Sequence, residues 1–136
     1  MLHAKTTGLY AILLTVSALI CSANALANKA NQKAPPELVN LVSEFGKAIK
    51  KKDIKAASAM SRFPLRNAVH MDQPKKSQSE FASSVKEGLP GYCHRVNELK
   101  LDENGKDWYL DCDGNIFFFG QVAGKWKYLG YENINE

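Results

Sequence analysis

His70 and Asp72 lie two residues apart, a spacing that on an extended segment puts an imidazole and a carboxylate on one face, as general acid–base chemistry requires. Such a pair could serve as a general acid and base. The surrounding His70-Met71-Asp72-Gln73-Pro74 equally suits an exposed connection that Pro74 closes. Cys93-His94 offers a second arrangement, because an imidazolium beside a thiol lowers its pKa and makes it a nucleophile. Strand neighbours point to opposite faces, however, and a bridged sulfur cannot attack. His70 and His94 lack the spacing of a metal site, and no phosphate-cradling loop is present, so neither metal nor cofactor is expected.

Aromatic residues are in surplus towards the C-terminus: Trp108, Tyr109, Phe117, Phe118, Phe119, Trp126, Tyr128 and Tyr131. In Ile116 to Phe119 alternate residues face opposite ways, so one pair packs on helices and the other lines a pocket or meets a partner. Arg66, Phe117, Phe119, Trp126 and Tyr128 are the candidate binding residues, for a small apolar ligand or a protein partner. Trp126 is also expected to anchor the hairpin that turns at Gly124.

Residues Met1 to Ala27 read as a secretory signal peptide, with Lys5 in a short polar start, an apolar run from Leu9 to Ile20, and small residues ending Ala23-Asn24-Ala25-Leu26-Ala27. The apolar run is well short of the ~20 residues a membrane-spanning helix needs. Cleavage after Ala27 removes Cys21 and leaves a periplasmic or secreted chain with no membrane anchor. Its two cysteines, Cys93 and Cys112, form an even set in an oxidising compartment, where a disulfide is expected. A two-residue turn at Asn104-Gly105 misaligns them by four positions, so the bridge requires a bulge, a wider loop or sheet curvature.

The mature 109 residues suit a single domain with a modest core, and their net charge of +3 is too mild to imply nucleic acid. That charge is divided: residues 28–95 carry 13 Lys/Arg against 6 Asp/Glu, and residues 96–136 carry 4 against 8. A basic helical layer facing an acidic sheet layer accounts for the division.

Residues 28–36 are a polar lead-in ended by Pro35-Pro36. Leu38, Leu41, Val42, Phe45 and Ile49 then recur at helical spacing to about Lys51, and Asp53 can cap a second helix with Ile54, Ala57 and Met60. Phe63 to Met71, with Pro64 inside, fits a short edge strand. Ser77-Gln78-Ser79-Glu80 has capping-box spacing ahead of a third helix that ends at Gly88 and Pro90. The period then becomes alternating, with strands over Tyr92–Leu101, Asp107–Cys112, Asn115–Val122 and Lys125–Tyr131. Asn104-Gly105, Asp113-Gly114 and Ala123-Gly124 supply hairpin turns, which makes the four strands an antiparallel meander.

A helical hairpin, an edge segment beginning Phe63-Pro64-Leu65-Arg66, a capped third helix and a meander containing GNIFFFGQVAGKWKYLGY together resemble the nuclear transport factor two-like superfamily over roughly residues 37 to 132. The resemblance implies an α+β, cystatin-like roll in residues 37–136, its sheet curved into a cone whose interior binds ligands or does chemistry. Members include isomerases, dehydratases and binding modules, so the fold does not choose among them. The expected function is non-catalytic binding, in the cone or on the sheet face, where a homodimer could also form. The alternatives are an acid–base enzyme using His70 and Asp72, and an inhibitor or immunity-type protein.

Overall fold

Proline at the first helical position and an apolar residue every third or fourth place start α1 (Pro36–Lys50) in the computed structural model, which describes residues 32–67 and 77–135. Leu38, Val42, Phe45 and Ile49 are buried along one stripe, while Glu37 in the first turn and Lys47 and Lys50 in the last complement the helix dipole. Asp53 caps α2 (Ile54–Ala59), its carboxylate accepting the Ala56 N–H at 3.0 Å. Ser77 and Glu80 form the expected capping box of α3 (Gln78–Lys86), which buries Phe81 and Val85.

These three helices pack on a five-stranded mixed sheet, giving an α+β fold. Its strands are β1 (Ser61–Asn67), β2 (Lys100–Leu101), β3 (Trp108–Cys112), β4 (Asn115–Val122) and β5 (Lys125–Asn133), in the spatial order β1-β5-β4-β3-β2. β2 to β5 form the antiparallel meander, and the turn residues adopt the left-handed conformation: Gly105, Asp113, Gly114, Ala123 and Gly124 all have positive φ. The edge strand β1 lies parallel to β5, with Ser61 opposite Tyr128 and Arg66 opposite Gly130. Placing β1 there leaves its other edge unpaired at Pro64, which has no N–H to give a neighbour.

The segment expected as a strand over Tyr92–Leu101 is a correction. Only Lys100 and Leu101 pair with β3, and Val96–Glu98 forms a single 3-10 turn. Tyr92, Cys93, Val96 and Leu99 all pack on the core, a spacing no strand can present to one side. This departure also resolves the register conflict of the disulfide. Lys100 lies opposite Tyr109 and Leu101 opposite Trp108, as the Asn104-Gly105 turn requires. The ladder stops there, and the chain swings back until Cys93 and Cys112 are bridged with their Cα atoms 5.4 Å apart.

One core cluster fills the space between helices and sheet, built from Leu38, Phe45, Leu65, Phe81, Trp108, Phe119, Tyr128 and their neighbours. Among the described residues three ion pairs join the basic and acidic halves of the sequence: Arg95 to Asp113 at 3.4 Å, Arg95 to Glu98 at 3.5 Å and Arg66 to Asp107 at 3.9 Å. Being solvent-facing, each contributes ~1 kcal/mol at most. No helix among the described residues is long and apolar enough to cross a membrane. The signal-like segment Met1–Ala27 lies outside the described residues.

Candidate functional site

Aromatic rings occupy the interior that a cone-shaped roll would offer to a ligand. Tyr128 stacks on Phe45 with centroids 4.6 Å apart, Phe119 meets Phe45 edge-on at 5.9 Å, and Phe81 closes the group at 5.7 Å from Tyr128. Phe117 lies between Tyr92, edge-on at 5.1 Å, and Tyr131, stacked at 5.8 Å. Phe117, Phe119 and Tyr128 have no exposed surface at all. Three of the five candidate binding residues therefore serve as packing in this conformation.

The interior keeps two unusual phenolic oxygens. Tyr92 Oη and Tyr128 Oη are buried without a hydrogen-bond partner among the described residues. Burial pushes both phenols well above their ordinary range, so both are neutral donors near neutral pH. Tyr128 is enclosed by rings, whereas the Tyr92 ring meets the His94 imidazole edge-on at 4.7 Å.

Phe118 projects to the opposite face of the sheet, beyond a register shift between Phe118 and Phe119. The Arg66 guanidinium lies over its ring, 4.2 Å from the centroid, and Tyr109 flanks it at 6.3 Å. Arg66, a candidate from sequence, is thus held on the outer sheet face between Phe118 and Asp107, away from the interior.

Trp126 stands apart from the other aromatic candidates. Half-buried, it lines an open groove of about 760 Å³ between the start of α1 and the β4–β5 hairpin. Leu41 and Met60, both partly buried, share this wall, while Glu37 and Glu44 of α1 and Lys125 of the hairpin bring opposite charges to the rim. A second, smaller cavity of about 210 Å³ lies on the other flank of α1, where Ser43, Gly46, Lys47 and Lys50 face Tyr92 and His94. Burial and the nearby Lys50 charge both lower the His94 pKa. The Lys47 ammonium donates to Glu44 at 2.6 Å, linking the rims of the two recesses across the helix.

No protein-family model matches the chain, and no curated protein matches it. Among solved structures it is similar to an NTF2-like protein with a cystatin-like fold from Novosphingobium aromaticivorans, at 15% identity and a TM-score of 0.44, over 87% of this chain and 88% of that one. At that degree of likeness no activity is transferred.

His70 and Asp72 lie outside the described residues, so no geometry brings them together here. Cys93 is consumed in its bridge to Cys112, which removes the thiol that His94 would have activated. Among the described residues no group of three His, Cys, Asp or Glu side chains is placed to hold a metal ion. Sequence reasoning named Trp126 without its surroundings: Leu41 sits at the margin of the helical stripe and Met60 just beyond α2, where amphipathic spacing marks them as core. Lys47 and Lys50 stand in the last turn of α1, and only the fold places them opposite His94.

Proposed function

We propose that this protein is a small non-catalytic binding domain of the periplasm or the extracellular space, and that its ligand lies across Trp126. The observation that carries this reading is the contrast among the aromatic candidates. Phe117, Phe119 and Tyr128 have no exposed surface, whereas Trp126 remains half-buried in an open groove. A tryptophan presenting one face to a recess is a frequent anchor of recognition, because it offers a large rigid area at little entropic cost. The Leu41 and Met60 side chains extend that apolar floor, and the charged rim supplies orientation. The groove volume falls in the range of small-ligand sites, roughly 300–1,000 Å³. An amphipathic occupant suits it, with its apolar body on Trp126 and polar ends at Glu37 and Lys125.

The disulfide supports the extracytoplasmic part, since such bridges persist where the surroundings are oxidising. A mature N-terminus at Asn28 in protein from the native host is the expected mass-spectrometric result, and an intact Met1 chain overturns secretion. Binding is tested by equilibrium titration of wild type, Trp126→Ala and Leu41→Glu with amphipathic ligands recovered from the native compartment. The expected outcome is at least a ~10-fold loss in both variants, from removal of apolar contacts worth ~1.4 kcal/mol or more. Unchanged affinity in two folded variants overturns the site.

A further inference from the structure

The small cavity on the other flank of α1 has a chemistry distinct from the groove. Its walls are Ser43, Lys47 and Lys50 from the helix and Tyr92 and His94 from the segment opposite, with the bare Gly46 at its base. Two lysines, a serine, a tyrosine and a histidine line it together with Val42 and Val96, and no carboxylate does, although the Lys47 ammonium pairs with Glu44 at the rim. We infer that this cavity is a binding site for a small oxyanion group, a carboxylate or a phosphate, held by Lys47, Lys50, Ser43 and His94.

Three further observations support the assignment. His94 adopts a left-handed backbone, φ 56°, a conformation uncommon outside glycine that persists only where its surroundings enforce it. The Cys93–Cys112 bridge holds the preceding residue to β3. Gly46 is the second observation. It lies inside a helix at φ that any residue tolerates, where glycine costs ~0.5–1 kcal/mol relative to alanine. A Cβ there would stand 3.0 Å from His94 Nδ1, so the missing side chain lets the imidazole approach the helix. The third is the Tyr92 ring, edge-on to His94 at 4.7 Å, which fixes the plane of the imidazole.

The charge balance selects the ligand. Burial and, after it, the Lys50 charge disfavour a proton on His94, which sets a neutral imidazole beside a cation near neutral pH. An oxyanion entering between them reverses that preference, because the protonated ring then donates to it alongside the ammonium groups. Lys47 has a partner in Glu44, and both are more than half exposed, which leaves Lys47 free to turn inward at little cost. At about 210 Å³ the cavity is large enough for a phosphate or carboxylate group and part of its carrier.

The test is an NMR pH titration of His94 in the disulfide-intact protein, with inorganic phosphate or acetate added at constant ionic strength and chloride as the control. The expected result is a saturable rise of the His94 pKa with phosphate or acetate, which chloride does not reproduce. Lys50→Gln should weaken that binding at least ~10-fold, and Ser43→Ala should weaken it with the fold intact by circular dichroism. A stronger response to phosphate than to acetate identifies a phosphate site, and the reverse a carboxylate site. Shifts equal in all three salts show screening of Lys50 alone and overturn the proposal. So does Lys50→Gln binding as tightly as wild type.

Discussion

His94 is the titrating residue whose environment reads directly into stability. Burial and the Lys50 charge hold its folded pKa below the ordinary value of 6.5. The folded state therefore binds fewer protons than the unfolded chain, and stability falls as pH drops through 6.5 towards the folded value. Melting curves between about pH 7.5 and pH 5 should show this loss in wild type, with a shallower slope in His94→Gln. Because the ring is partly exposed, the difference should be small. Tyr128 makes the opposite case, as a hydroxyl buried with no partner among the described residues. Removing it in Tyr128→Phe should leave urea stability unchanged or raise it by ~1 kcal/mol, since the desolvation cost disappears with the group. A marked loss would mean the hydroxyl has a partner. Trp126, half-buried, should cost about half of the ~3–5 kcal/mol expected for a fully enclosed aromatic when cut to alanine.

At the scale of elements, the junction of β1 with β5 depends on a glycine. Gly130 has φ 135°, and a Cβ there would overlap the Arg66 carbonyl oxygen. Gly130→Ala should destabilise the fold by ~2 kcal/mol or more, measured by denaturant titration, with β1 the first strand to lose amide protection. The Cys93–Cys112 bridge spans a sequence separation of 19, and its removal should cost about 3 kcal/mol by the chain-entropy estimate. The helices and hairpins were legible because their signals are local: Pro36 at a helix start, the Ser77–Glu80 box, and glycine at each turn. The segment Tyr92–Leu101 was not, because a covalent link to Cys112 and packing on α1 set its path. The parallel pairing of β1 was equally hidden, since nothing within Ser61–Asn67 says which strand it will meet.

For the whole molecule, the basic and acidic halves of the sequence meet in ion pairs at Arg95 and at Arg66, and because Arg66 stands on β1 the division does not follow the helix and sheet layers. The same packing explains why aromatic content misleads as a sign of a pocket. A small domain needs large side chains to build its core, so Phe117, Phe119 and Tyr128 are spent on stability while Trp126 is left at the groove. The competing account is catalysis by His70 and Asp72 on a ketone-like substrate. If His70→Ala lost at least the ~100-fold expected of a general base in a turnover assay, that account would replace the binding reading.

The most direct test is amide and indole NMR of the isotope-labelled, disulfide-intact protein, titrated with ligand fractions from the native extracytoplasmic compartment. The groove account predicts that binding shifts the Trp126 indole N–H together with Leu41, Met60 and Lys125, leaves the buried Trp108 indole unmoved, and is lost in folded Trp126→Ala. Shifts confined to another face, or binding that survives Trp126→Ala unchanged, would contradict it.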